Sequence, residues 1–395
     1  MTHTIGKSSS VEEVMEAAGR VAGIARATAS YRDATRTSCL EELNAFSDSG
    51  LWTITIPSDY GGPDLGYQTL GEVIQIVAAA DPSLAQIPRS HFHIIDLLKL
   101  AGSAYQKDFF FGEMMKRKRF SQAASERGGK NAMDISTCIT KESGKWLLNG
   151  KKFYATGCLY ADWIGIIAKD EFDDHLQAFV PRDTPGLHIE DDWSGFGQRA
   201  TASGTVTLDA VEVDPKHIMP FAEVFIEPTM VGAASQLIHA SIDAGISREA
   251  LRDAIDYVKT KARPGVDSGV ERASDDPYVI RSIGELEIRL TAATATLALA
   301  AKKMDMHKDK LNDDLVAEIS ISVAIAKVLT TETALFATTK LFEVSGAGAT
   351  LQKLNLDRHW RNARTHTLHD PVAWKYNAIG NYVLNNIHPK KHNYI

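Results

Sequence analysis

The sequence predicts a multidomain α+β protein of 395 residues: a helical domain over residues 1–118, an antiparallel β domain over 119–222 and a second helical domain, a four-helix bundle, over 223–395. Three observations predict it. Apolar residues recur at helical spacing in the first stretch, and short runs rich in β-branched and aromatic residues separated by turns fill the second. Long Ala- and Leu-rich segments with few breakers fill the third.

In the first domain, Val11 to Ala29 is rich in Ala and Glu and free of Pro, and Leu70, Val73, Ile74 and Val77 share one helical face. Ile56-Pro57-Ser58-Asp59-Tyr60-Gly61-Gly62-Pro63 must be a loop, and Asp81-Pro82-Ser83 is another. Helix resumes over Phe92 to Met115. The strand expectations are Ile135–Ile139, Trp146–Leu148, Trp163–Ala168, Gln177–Val180 and Thr205–Val213, with Asn149-Gly150 as a hairpin turn because both residues tolerate positive φ. Ala233–Thr260, Pro277–His307 and Asp313–Val344 read as three long helices.

Composition narrows the function. With 44% hydrophobic and 24% charged residues the chain is an ordinary globular one, and a net charge of -7 with no basic stretch argues against nucleic acid or an anionic membrane surface as partner. Cys39, Cys138 and Cys158 are odd in number and far apart, which suits a reducing cytoplasm without disulfides. Met1 to Ser10 is polar, and no stretch reads as long and apolar enough to span a bilayer, so neither export nor a membrane is expected. Small-molecule chemistry is the default.

Several residues can carry it. Ser125 and Thr156 precede turn formers in β-rich segments, so their hydroxyls can face a ligand at a strand end. Arg263, after a helix, can take a phosphate or merely serve as a solvated helix end. Gly346-Ala347-Gly348 follows a helix rather than a strand and lacks a third glycine, which rejects a dinucleotide fingerprint but leaves exposed backbone N–H groups. His366 and His369 lie three apart in a segment read as a loop, without the further ligands a metal needs. His91 and His93 do not share a helical face, so at most one points inward; His91 is preferred.

The order of domains, together with Leu51-Trp52-Thr53-Ile54-Thr55-Ile56-Pro57, Tyr60-Gly61-Gly62, Ser125-Glu126-Arg127-Gly128, Trp193-Ser194-Gly195-Phe196-Gly197-Gln198-Arg199, Thr201-Ala202-Ser203-Gly204-Thr205 and the stretch from His359 to Pro371, resembles the acyl-CoA dehydrogenase fold and its dibenzothiophene monooxygenase and sulfur-acquisition branch. The resemblance implies a homotetrameric two-component monooxygenase. Reduced FMN, supplied by a separate NAD(P)H:flavin reductase, would activate O2 as a flavin C4a-hydroperoxide to oxygenate a small sulfide, sulfoxide or sulfone. It implies Ser125, Thr156, Trp193, Ser203 and His366 around the flavin, with Arg263 and Gly346, Ala347 and Gly348 as cofactor groups, Arg263 for a neighbouring subunit's phosphate. His369, with Thr156 and His91, would stand at the reacting atoms, His369 as a neutral hydrogen-bond donor. Gly265 departs from the bulky residue usual after Arg-Pro. The alternatives are an acyl-CoA dehydrogenase with FAD, whose glutamate base has no counterpart near His366 to His369, and a nitrogen-oxygenating member of the same fold.

Overall fold

The computed structural model describes residues 4–395. Its first helices are α1 (Val11–Thr35), α2 (Leu40–Ser49), α3 (Tyr67–Ala80), α4 (Pro82–Gln86), α5 (Arg89–Ala101) and α6 (Ala104–Met115). The single helix expected up to Met115 is two, because Gly102 is extended and Ser103 starts a new capping box with Gln106.

The strands β1 (Phe120–Ala123), β2 (Cys138–Glu142), β3 (Lys145–Lys152), β4 (Trp163–Lys169), β5 (His175–Pro181), β6 (Leu187–Glu190), β7 (Thr205–Val213) and β8 (Ile218–Pro220) form one sheet in the order β6-β7-β3-β2-β4-β5-β8, with β1 beside β4. The β1–β4 pairing is parallel, and so is the single β2–β4 bridge, so the sheet is mixed rather than wholly antiparallel. The β2–β3 hairpin turns at Ser143-Gly144, with φ of 50° and 84°, and not at Asn149-Gly150. Asn149 and Gly150 lie inside β3, where its register against β7 shifts and the Thr137 hydroxyl occupies the space of a Cβ on Gly150. The strand expected from Ile135 begins only at Cys138. Glu126 takes the Ser136 and Thr137 amides at 2.7 and 2.9 Å, and Lys152 balances its charge at 2.8 Å.

The C-terminal helices are α7 (Val231–Thr260), α8 (Pro277–His307), α9 (Asp313–Ser345), α10 (Asp357–His366) and α11 (Val372–Asn385). α7, α8 and α9 pack together and the shorter α11 lies on α9, while α3 runs along α7. That last approach is close: a Cβ on Gly245 would stand 2.6 Å from the Ala78 methyl. α9 does contain a window long and apolar enough to cross a membrane, contrary to the expectation from sequence; 67% of that window is buried, as befits the central rod of a helical core.

Candidate active site

One wall of the site belongs to the β domain. The Thr156 and Ser203 hydroxyls are 2.7 Å apart, and Ser203 is 2.7 Å from the Thr201 hydroxyl. Thr201 donates its own proton to the Gln198 carbonyl at 2.8 Å. The chain of donors must therefore run from Thr156 to Ser203 to Thr201, which leaves the Thr156 oxygen as an acceptor toward any ligand. The turn that carries Thr156 is held by Ser121, which donates to the Thr156 carbonyl at 2.5 Å, and by Gly157, in left-handed backbone with φ 75°.

Trp193 is half-buried and donates from Nε1 to the Gln198 carbonyl at 2.9 Å. Its loop is clamped from both helical domains. Arg36 donates to the Trp193 and Gly195 carbonyls, Arg361 to the Phe196 carbonyl, and Asn362 accepts the Gln198 amide at 2.6 Å. Gly197 fits because a Cβ there would stand 1.9 Å from the Arg361 carbonyl oxygen.

The other wall is helical. His366, the last residue of α10 rather than part of a loop, donates from Nδ1 to Asp243 at 2.6 Å. Its Nε2 lies 3.1 Å from His239 Nδ1, and His239 Nε2 is buried without a partner among the described residues. The second oxygen of Asp243 takes Lys327 at 2.6 Å and Thr331 at 2.9 Å. Burial pushes the Asp243 carboxyl up, but Lys327 and His366 pull it down to about 2.

His369 follows in the turn before α11. Its Nδ1 lies 3.2 Å from Asp370, whose other oxygen is 2.9 Å from Lys375. Burial opposes ionisation of Asp370, yet His369 and Lys375 hold it well below the usual carboxylate range. Burial also lowers the His369 imidazole, against the pull of Asp370. A carboxylate can only accept, so the Nδ1 proton points at Asp370 and neutral His369 offers Nε2 as an acceptor. It donates only after taking a second proton, which Asp370 would stabilise. This revises the neutral donor expected from sequence.

The other expected residues fall in different places. His91 faces no pocket: its Nδ1 accepts the Phe120 amide at 3.2 Å and its Nε2 reaches the Trp52 carbonyl at 3.0 Å, so both ring nitrogens are spent on backbone. His93 is 2% exposed with neither ring nitrogen bonded, so it is the one of the pair whose nitrogens are unspent. Ser125 meets the Tyr394 hydroxyl, which also feels Arg89 and Asp370, so the β and helical walls touch there. Arg263 is exposed and unpaired among the described residues, and Gly346, Ala347 and Gly348 are exposed beside Tyr257. Tyr257 lies 18 residues along α7 from His239, roughly 27 Å at helical rise. These phosphate candidates do not join the His cluster within one chain. His239, Asp243, Lys327 and Arg89 were not anticipated; the only trace was a polar pair, His239 and Asp243, spaced four apart in an apolar helix.

On the two walls the Gln198 side-chain amide, Arg199 Nε and His239 Nε2 are buried without partners among the described residues, in addition to the Trp193 ring and the Thr156 acceptor. A flat heteroaromatic with donors and acceptors along its edge, such as an isoalloxazine, fits that set.

Comparison with known proteins decides the family. Models of the N-terminal, middle and C-terminal domains of acyl-CoA dehydrogenase match residues 12–118, 121–211 and 237–374. The chain belongs to the acyl-CoA dehydrogenase family. Within this family it is 33% identical to a dibenzothiophene monooxygenase of Rhodococcus qingshengii over 92% of this chain and 91% of the relative. A crystal structure of FMN-bound TdsC from Paenibacillus sp. A11-2 superposes with a TM-score of 0.92 at 30% identity, covering 97% of this chain and 100% of that one. The methanesulfinate monooxygenase MsuC of Pseudomonas fluorescens superposes with a TM-score of 0.90 at 27% identity, over 96% and 99%. Butyryl-CoA dehydrogenase of Megasphaera elsdenii, 18% identical with a TM-score of 0.83, shares the fold.

Proposed function

We propose that this family member is a flavin-dependent monooxygenase that uses reduced FMN and O2 to oxygenate the sulfur of a small organosulfur compound. The observation that carries the reading is the His239–His366–His369 cluster, whose only carboxylates, Asp243 and Asp370, are ion-paired and held low. The free glutamate base expected of an acyl-CoA dehydrogenase has no counterpart in this cluster among the described residues. The imidazoles of His239 and His369, both lowered by burial, suit holding and releasing a proton during oxygen transfer instead.

Thr156, Ser203, Ser125, Trp193 and the His366 side would hold the FMN ring, and the bound flavin supplies the two electrons that activate O2. Thr156 orients the ring edge through its acceptor oxygen. His369 takes a proton at Nε2, steadied by Asp370, and returns it to the oxygen that leaves. His366, pinned by Asp243, fixes His239 and closes the pocket to water.

The enzyme works as a homotetramer in the cytoplasm, fed by a separate flavin reductase through diffusing FMNH2. Arg263 and the Gly346–Gly348 loop, remote from their own His cluster, would serve a neighbour's flavin phosphate. Apolar side chains left exposed along α8 and α11, among them Ile288 at 71%, Leu299 at 63% and Leu384 at 83%, support such an assembly. Calorimetry with FMN and FAD, followed by oxygen uptake with reductase and NADH, tests the reading. Preference for FAD together with bleaching by an acyl-CoA thioester would replace it with the dehydrogenase.

A further inference from the structure

The buried side of α5 carries a charge without a counter-charge. Arg89 and His93 stand one turn apart on α5, and Ser235 and His239 one turn apart on α7, against which α5 packs. Arg89 donates to the Ser235 hydroxyl, its Nε is buried with no acceptor, and no carboxylate pairs with it among the described residues. Asp370 acts on it from a distance but is already taken by His369 and Lys375. His93 and His239, 2% and 0% exposed, turn three further unpartnered ring nitrogens into the same neighbourhood. Arg89 is half-buried, but its Nε is shut off from water with no anion beside it, which is costly, and the flanking groups are neutral donors and acceptors rather than a second charge.

The last residues of the sequence close this side. The Asn393 carbonyl accepts Gln236 at 2.9 Å, the Tyr394 carbonyl accepts Lys375, and Gly232 makes room for the His392 carbonyl, which a Cβ would approach to 2.4 Å. Ile395 is 6% exposed, and the Tyr394 ring reaches Arg89 and Ser125.

Resting on the monooxygenase reading, we propose that Arg89, flanked by Ser235 and His93 and covered by Tyr394, binds the anionic head of the substrate, and that this substrate is a short alkanesulfinate rather than a neutral fused aromatic. The anion must bear a sulfur that can still accept oxygen. A sulfinate keeps a lone pair on sulfur, and a sulfonate has none. One oxygen atom of O2 bonds to that lone pair as the O–O bond breaks, giving the sulfonate. The other oxygen leaves as water with two hydrogens, and reduced FMN supplies both electrons and returns as FMN. Arg89 places the sulfur beside His369, whose imidazole feels the same guanidinium.

The test uses the full chain with FMN, a flavin reductase and NADH. Methanesulfinate and dibenzothiophene are compared as substrates, and methanesulfinate binding to the FMN-loaded enzyme is measured by calorimetry. Wild type should bind and oxygenate methanesulfinate. Arg89→Met should raise its KM and Kd by roughly 10- to 100-fold, as expected for losing a charge-assisted contact, with FMN affinity unchanged. Arg89→Lys should recover part of the loss. Lost FMN affinity in Arg89→Met with an unaltered methanesulfinate KM would give the arginine to the flavin and overturn the proposal. Oxygenation of dibenzothiophene but not methanesulfinate, or of neither by an enzyme that binds FMN, overturns it too and leaves the monooxygenase reading standing. A wild type that binds no FMN takes down that reading beneath it.

Discussion

The imidazoles of His239 and His369 face each other with centroids 4.1 Å apart and 36° between their planes, although 130 residues separate them in the chain. One ring rises from the middle of the core on α7 and the other sits in the turn before α11. His369 Nδ1 faces Asp370 and His239 Nδ1 faces His366, so each ring keeps Nε2 unspent, that of His239 in the core while the His369 side chain is 34% exposed.

His369→Ala should therefore uncouple the enzyme. Reduced flavin would be consumed with release of H2O2, and product formation should fall on the order of a hundredfold, the typical effect of one positioned group. FMN affinity should change little, because the ring's anchors lie elsewhere. Parallel assays of H2O2 and oxygenated product check this; unchanged coupling would make His369 a packing residue.

Acid should destabilise the fold through its buried neutral histidines. Burial pushes His91 down to about 3, and burial with Arg358 pushes His359 down to about 4 against Asp253. Between those values and about 6.5, the unfolded chain binds a proton that the folded one refuses, so stability is full above that range and drops as pH falls through it. Each such residue contributes a slope of about 1.4 kcal/mol per pH unit. Urea unfolding of His91→Gln between pH 7 and pH 4.5 should show a pH dependence shallower than wild type by about that amount.

Asp243→Asn would strand the Lys327 ammonium, whose side chain is 1% exposed. A loss of about 3–5 kcal/mol is expected, as for breaking a buried pair from one side. Asp243→Leu combined with Lys327→Met should recover most of it, which denaturant titration of the three proteins would reveal.

Gly197→Ala tests the clamp on the Trp193 loop. With no space for the methyl against the Arg361 carbonyl, the loop must shift and the Trp193 ring with it. FMN affinity should fall about tenfold or more while the melting temperature drops only modestly, since the loop is local to one face of the sheet. Fluorescence titration of FMN provides the measure.

What could be read from the sequence followed the range of the forces involved. The helices 277–307 and 313–345 were legible almost to the residue, because periodicity and the caps Asp276 and Asn312 are local signals. Asn149-Gly150 misled because its φ preference describes only the pair, while Ser143-Gly144 closes the hairpin and the bulge against β7 uses Gly150. The choice between His91 and His93 was fixed by tertiary contacts, the Phe120 amide and the Trp52 carbonyl, which no spacing encodes. Family strings pointed to Ser203, His366 and His369, and Thr156 was marked by the turn former after it. Arg89 lay outside every local pattern and His239 showed only its spacing from Asp243, because their meaning is a missing partner across two helices.

α7 has a further consequence through its 30 residues. It presents His239 and Asp243 near one end and Tyr257, beside the glycine loop, near the other. In the proposed tetramer one rod thus serves two different reaction centres, its own and a neighbour's. Subunits crippled at opposite ends are then not equally dead in company: mixing His369→Ala chains with Arg263→Ala chains, each inactive alone, should assemble hybrids in which some centres draw both intact halves, and activity should return on mixing.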